Sequence, residues 1–567
     1  MEINDIYKVR HSTAHLLAQA VTELFPGTIV TIGPVTEEGF FYDFLPPEGK
    51  SFKTEDLSKI ENRMREIIKE DIPLEQKDVS KEEALRIFKG NPFKEELIKD
   101  IPDKTVGLTI QGNFADLCKG GHVTSTGKLK NFKLLGISGS YWRANRDGQA
   151  LQRISGTAFP TEKELKEYEI KKEEAEKYDH RKLGKELDIF SLHDEGPGFP
   201  FFHPKGTMIL RVMTDYIRKE LDREGYQEIK TPIILSEQLW HQSGHYSHYK
   251  PNMYFLSIDE QPYAVKPMNC PGCILIYKTR PRSYRELPLK LSEFGLVHRH
   301  ELSGVLHGLF RVRAFTQDDA HVFCMPQQIE QEILNIINFV KRTYGTFGFE
   351  NVSFVLATRP ENAMGDEALW TKATNALKGA LEHADIKYSI DEGGGAFYGP
   401  KIDIKVQDSM GRSWQLGTIQ VDFFMPQNFD LSYISSEGKK ERPIMIHRAI
   451  YGSFERFLGI LLEHYKGRLP FWLAPVQIKV LTISDDQLPY AQQVTAELKN
   501  HGLRAELLES SDPLQAKIKI AQLEQVPWML VLGNKEVESN TLTLRHRDGK
   551  QEFGLSTEEL LKKAQKN

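Results

Sequence analysis

The chain has 567 residues, 40% of them hydrophobic, with 74 Lys plus Arg against 79 Asp plus Glu and a formal net charge of −5. That length suggests about three to five globular domains, and the near-balanced charge, with a pI near 6.4, excludes a generally basic nucleic-acid binder, so any such contact must rest on local patches. Four cysteines (Cys118, Cys270, Cys273, Cys324) are too few for a disulfide scaffold and point to a reducing compartment and to metal or catalytic uses. No apolar h-region follows a basic start and no apolar run is long enough to span a bilayer, so a soluble cytoplasmic protein without membrane contact is expected.

The first segment, to about Phe159, opens on a predicted helix over residues 6–25 that carries His11-Ser-Thr-Ala-His15. Spacing of four puts both imidazoles on one helical face. The protease pattern H-E-x-x-H has a glutamate base where this chain has Ser12, so that activity loses its base. Asp116-Leu-Cys118-Lys-Gly-Gly-His122 supplies a second pair four apart. Together they offer three imidazoles and a thiol, which suit a tetrahedral zinc site or a metal-free pocket that positions a hydrolytic water. For either pair alone, structural residues are the plainer explanation. The set is similar to the editing domain shared by threonyl- and alanyl-tRNA synthetases, and residues 151–159 resemble that domain's exit. The resemblance implies that Lys94 and Asp116 belong to the same pocket. Where that family usually has proline this chain has Gly121, and a looser loop is expected.

Residues 161–187 are rich in strong helix formers and in opposite charges three and four apart. Such a helix stands in solvent, so a spacer is expected, with tRNA contact through its lysines as the alternative. From Asp188 a second domain opens. An amphipathic helix over 209–224 leads through Gly225 into a strand that Pro232 confines to an edge. Next comes Pro267-Met-Asn-Cys270-Pro-Gly-Cys273, a C-x-x-C with no second copy to complete a zinc knuckle.

Residues 293–323 read as two strands joined by a glycine-bearing loop. From Arg311 onward Arg311, Arg313, Phe315, Gln317, Asp319 and His321 alternate with a mostly apolar set, the signature of a strand with one packed and one working face. Arg299 and Glu301 share one parity on the preceding strand and would project beside this row. Guanidiniums for phosphate, a ring for stacking, a carboxylate for an amine and an imidazole suit a nucleotide beside an amino acid. The arginine of His298-Arg299-His300-Glu301, the loop 303–308 and the run from Arg311 to His321 resemble the second signature motif of class II aminoacyl-tRNA synthetases in its threonyl form.

After a helical region near 329–347, residues 396–406 and 412–421 alternate as a long hairpin turning at Ser409-Met-Gly411. Antiparallel strands in sequence, with no G-x-G-x-x-G or P-loop, argue against a Rossmann fold; Gly393-Gly-Gly395 is taken as a flexible loop. A strand then runs from Pro443 through His447 into a helix bearing Arg456 in an apolar run. Such an arginine needs a partner, either a buried carboxylate or a triphosphate. From Phe471 on, strands over 478–483 and 529–532 alternate with helices over 488–501 and 514–525, a small α/β domain.

The resemblance covers nearly the whole chain. It implies an α+β multidomain protein: a class II antiparallel-sheet catalytic core (188–469) behind an α+β editing domain (1–160) and helical linker (161–187), followed by an α/β anticodon-binding domain (470–567). It implies activation of L-threonine by ATP with Mg2+ to threonyl adenylate, transfer to tRNA(Thr), editing of seryl-tRNA(Thr), and a homodimer joined at the proline-bearing strand. By the same resemblance Arg299 holds the α-phosphate, Arg311 and Arg456 the outer phosphates, Phe315 the adenine face and Glu301 its amine. Arg456 is thereby matched to the third class II motif. Gln317, Asp319, Tyr398, Lys401 and Gln415 bind threonine; Cys270, His321 and His447 hold one zinc ion that chelates the substrate amine and hydroxyl; His245 is the base in acyl transfer. Cys273 stands where histidine is usual and stays unassigned. Glu536 and Arg545 match anticodon contacts, whereas Ser511-Asp512-Pro513 departs from the usual residues. The family's usual small ubiquitin-like domain has no counterpart ahead of residue 6; a natural absence and a shortened chain would look alike. The rivals are a prolyl or seryl enzyme lacking the Cys/His/His trio, and a synthetase-like RNA-binding protein without catalysis.

Overall fold

The structure is a computed structural model and describes residues 5–36, 38–145, 148–361, 363–408 and 412–566. The chain divides into two compact units, Met1–Glu173 and Glu174–Asn567. The division falls within the helix Glu162–Lys177, which buries none of its side chains, in keeping with its lack of an apolar stripe.

In the first unit the predicted opening helix spans Asp5–Leu24. Its Leu17, Ala18 and Val21 pack on Phe40, Tyr42 and Phe44 and on Ile60, Met64 and Ile67. Those partners belong to the strand Phe40–Leu45, inside a four-stranded sheet, and to the helix Asp56–Glu70. A separate three-stranded sheet, Leu74–Ser80, Thr105–Gln111 and Phe114–Leu117, carries Asp116 on its last strand.

The second unit is built on an eight-stranded sheet in the spatial order Gln227–Glu228, Leu289–His298, Ala314–Cys324, Ile444–Ala449, Ser413–Asp422, Lys401–Gln407, Val352–Ala357, Tyr388–Asp391. All inner pairings are antiparallel, and only the two outermost are parallel. The turn expected at 409–411 lies outside the described residues. One face of the sheet buries Ala320, Val322, Ile419, Val421, Ile402, Ile404 and Ile446 against helices. The helix Pro204–Arg223 begins with proline in its first turn and presents Ile209, Met213, Ile217 and Leu221 at intervals of four. The helices Ile329–Thr346 and Glu367–His383 and the apolar side of Phe454–His464 complete the cover. The opposite face is left for the site.

Three expectations need correction. The strand starts at Ala314, not near Arg311, so Arg313 leaves the working row: it donates to the carbonyls of Glu301 and Pro197 and to Ser303 Oγ. Arg299 and Glu301 lie just past the end of the preceding strand, which stops at His298. The strand after Gly225 is only Gln227–Glu228, and Pro232 lies beyond it.

Residues 475–567 carry a five-stranded mixed sheet, in the order Ala505–Leu507, Ile478–Thr482, Trp528–Leu532, Leu542–His546, Gln551–Leu555, with its own core. The strand Ala505–Leu507, the last two strands and the helices Asn534–Ser539 and Thr557–Ala564 were not anticipated from the sequence. Among the described residues no helix is long and apolar enough to cross a membrane.

Candidate active site

On the open face of the large sheet two cavities share a wall. The larger, about 500 Å³, is lined by Arg299, Glu301, Phe310, Arg311, Phe315, Gln415 and Arg456 among others. Three guanidiniums face one carboxylate there, an excess suited to a polyanion. Ser453 caps the helix Phe454–His464 by accepting the Arg456 amide at 3.1 Å, which fixes Arg456 in the first turn. Its Nε donates to the Phe310 carbonyl at 3.0 Å, and among the described residues no carboxylate pairs with it. Burial, then the charges of Arg299 and Arg311, lower its pKa. Arg311 is held by Glu301 at 3.0 Å, and Arg299 lies over the Phe315 ring at 5.0 Å.

The smaller cavity, about 300 Å³, is lined by Cys270, Asp319, Tyr398, Lys401 and His447, and shares Arg299, Gln317, Thr418 and Gln420 with the larger. The two cavities thus adjoin along those four residues. Of the residues expected to bind threonine, Gln317, Asp319, Tyr398 and Lys401 line this smaller space, but Gln415 does not. It faces the larger cavity, with its amide on Asp403 at 2.7 Å. Thr418, Gln420 and Tyr249 line both cavities and were missed; for the first two the signal was present, since they alternate with the buried Ile419 and Val421.

Cys270, His321 and His447 bring their ligand atoms within 4.8 Å of one another, and all three are buried. His321 Nε2 has no hydrogen-bond partner. Burial drives the His321 pKa well down and the Cys270 thiol well up. A buried imidazole nitrogen without a partner beside a thiol and a second imidazole fits a tetrahedral metal with an open position. Asp422 accepts from or orients His447 Nε2 at 3.0 Å. His245 is fully buried, with Nδ1 2.8 Å from Ser243 Oγ and Nε2 2.9 Å from Met268 Sδ and 3.8 Å from Cys270 Sγ. It lines neither cavity, and its ring nitrogens meet Ser243, Met268 and Cys270. Cys273 is buried in the adjoining core.

In the first unit the sequence-predicted cluster does assemble. Cys118 Sγ lies 3.5 Å from His11 Nε2 and 3.1 Å from His122 Nε2, and the four groups including His15 fall within 4.8 Å. Behind it, Asp116 accepts from the Tyr42 hydroxyl at 2.6 Å, pairs with the buried Lys94, and lies 3.5 Å from His15 Nδ1. Burial lowers the His15 pKa to about 4 and, aided by the neighbouring imidazoles, that of His122 to about 2. Burial also lowers the His11 pKa and raises that of the Cys118 thiol, so all four groups are held in their neutral forms near pH 7. The loop is not slack: Gly120 N–H donates to Cys118 Sγ at 3.3 Å. Gly120 and Gly121 take φ +92° and +87°, a backbone that proline at 121 cannot adopt.

In the region 475–567, Glu536 on the helix Asn534–Ser539 accepts from Gly533 N–H at 2.9 Å and Thr543 at 2.7 Å, while Arg545 Nε on the strand Leu542–His546 is buried without a hydrogen-bond partner. Asp512 and Pro513 lie in the turn before the helix Leu514–Leu523.

Residues 254–465 match the family of the tRNA synthetase class II core domain (G, H, P, S and T), 475–567 the anticodon binding domain, and 108–155 the threonyl and alanyl tRNA synthetase second additional domain. Fold and site thus define a class II aminoacyl-tRNA synthetase. The chain is 54% identical over 559 residues to the threonine–tRNA ligase of Carboxydothermus hydrogenoformans, covering 97% of this chain and 88% of that relative. It is 55% identical over 540 residues to that of Caldanaerobacter subterraneus subsp. tengcongensis, covering 95% and 83%. Among solved structures, the RNA binding domain of threonyl-tRNA synthetase from Cryptosporidium parvum Iowa II aligns with a TM-score of 0.67 at 43% identity over 68% of this chain and 98% of that one. The chain belongs to the threonine–tRNA ligase family.

Proposed function

We propose that the two adjoining cavities seat ATP and L-threonine side by side, so that the chain activates threonine as threonyl adenylate and passes it to tRNA(Thr). The observation that carries this reading is the convergence of Arg299, Arg311 and Arg456 on a cavity sharing Gln317, Thr418 and Gln420 with the one beside Cys270 and His447. Arg299 is assigned to the α-phosphate, Arg311 and Arg456 to the outer phosphates with Mg2+, Phe315 to the adenine face and Glu301 to its amine. Gln317, Asp319, Tyr398 and Lys401 orient threonine. Cys270, His321 and His447 would hold one zinc ion, which supplies a Lewis-acidic position for the substrate amine and hydroxyl.

The His11, His15, Cys118 and His122 cluster, backed by Lys94 and Asp116, is assigned to hydrolysis of seryl-tRNA(Thr). Glu536 and Arg545 are assigned to the anticodon. A cytoplasmic homodimer is the working form, supported by Ile233 and Ile234, apolar yet 40% and 43% exposed beside Pro232. The test is ATP–pyrophosphate exchange with each of the standard amino acids. Threonine should drive it strongly and serine weakly, and Arg456→Ala should lower the rate about 100-fold, as loss of a charge-stabilising donor does. Exchange driven best by proline would overturn the reading.

A further inference from the structure

Asp179, with the buried His180 and Glu463, brings three ligand-type atoms within 4.8 Å, yet hydrogen bonds satisfy the imidazole on both sides. His180 Nδ1 lies 2.8 Å from Glu463 Oε1, which also accepts the His180 backbone N–H at 3.1 Å. On the far side of the ring Leu309 N–H donates to Nε2 at 2.9 Å. An amide hydrogen requires an unprotonated ring nitrogen, so Nε2 is the acceptor and Nδ1 carries the one proton toward Glu463. Arg412 holds the other Glu463 oxygen and is itself held by Asp408 at 2.7 Å. With the His180 and Glu463 side chains 0% and 1% exposed, water cannot substitute for either bond.

What this network holds is the backbone forming the floor of the larger cavity. Gly308 has φ +50°, and a Cβ there would sit 2.1 Å from His180 Nε2, so the close approach of ring to loop requires glycine. Leu309 and Phe310 both line the cavity. The Phe310 ring lies against His180 at 4.0 Å and Trp414 at 4.2 Å, and its carbonyl accepts Arg456 Nε at 3.0 Å. Arg456 takes its direction from a backbone that His180 fixes.

We propose that His180 is a positioning residue for the nucleotide half of the reaction: by accepting the Leu309 amide and backing the Phe310 ring, it sets the carbonyl that aims Arg456. This rests on the assignment of the larger cavity to ATP and extends it to a residue that touches no substrate.

Two polar variants separate the two ends of the ring. His180→Asn keeps a donor near the Nδ1 position but is too short to reach the Leu309 amide, whereas His180→Gln places its amide oxygen near Nε2 and restores that acceptor. In threonine-dependent pyrophosphate exchange, His180→Asn should raise the KM for ATP about tenfold with the threonine KM within about twofold, and His180→Gln should stay within about threefold of wild type for both. Equal shifts in the two variants, or an ATP KM that moves together with the threonine KM, would overturn the proposal. Hydrogen exchange on the wild-type enzyme tests it without substitution: the peptide containing Leu309 should exchange slowly, and exchange of that amide at the rate of an open loop would equally overturn it. Arg456→Ala is the control, since an unchanged ATP KM there would fault the assignment of the cavity and not of His180.

Discussion

His321 and His447 stand directly opposite each other on adjacent antiparallel strands, their rings edge to face with centroids 4.9 Å apart. Cross-strand pairing alone brings two imidazoles together on the open face, and Cys270, at the start of a helix, supplies the thiol. Purified enzyme should carry about one zinc per chain, and Cys270→Ala should lose the metal and at least about 100-fold in threonine activation. Active enzyme free of zinc by elemental analysis would refute this.

Valine matches threonine in shape but lacks the hydroxyl. In a buried site built from Gln317, Asp319, Tyr398 and the zinc ligands, it leaves polar groups unpaired. Activation of valine should be slower than that of threonine by roughly 10⁴ or more, and comparable kcat/KM values in pyrophosphate exchange would rule out hydroxyl recognition.

Serine keeps the hydroxyl and loses one methyl, a difference of only about 1–3 kcal/mol in discrimination. Some seryl-tRNA(Thr) should therefore form and be cleared by the first unit. The double variant His11→Ala/His15→Ala should lose deacylation of preformed seryl-tRNA(Thr) while keeping threonine activation. Equal deacylation by variant and wild type would remove the editing assignment.

Glu455 lies buried beside the site, with both carboxylate oxygens 3.0 Å from the Thr316 amide. Burial raises its pKa from 4.5 to about 7. Between those values the folded chain binds more protons than the unfolded one, so the contribution of this group to stability is full below 4.5 and is lost as pH rises through 7. Glu455→Gln should match wild type near pH 5 and exceed it by on the order of 1–3 kcal/mol near pH 8. Calorimetry showing the same difference at both pH values would contradict the assignment.

Much of the open face was legible because a strand has period two: Phe315, Gln317 and Asp319 keep one parity from sequence to cavity, and His321 continues it into the cluster with Cys270 and His447. The rule failed where the strand ended, which left Arg313 in the loop. It also failed at Gln415. The register between the strands Lys401–Gln407 and Ser413–Asp422 slips between Asp403 and Lys405, so that Gln415 and Thr418, an odd number apart, both reach the larger cavity. A bulge of that kind leaves no mark on alternation. Asp318 was passed over for another reason. It lies on the packed face, where a carboxylate is costly unless paired, and its partners are the Ile450 and Tyr451 amides and the fully buried Arg448, all from a segment distant in sequence.

The pleat of Ala314–Cys324 sorts its side chains between packed helices and open cavities at every step. Gaining or losing one residue within it would turn His321 into the aliphatic core and bring Val322 out beside Cys270, exchanging the two faces for the whole length beyond the change. Replacement in place keeps this sorting, whereas a change of one residue in length keeps it only if a bulge like the one between Gln415 and Thr418 absorbs it.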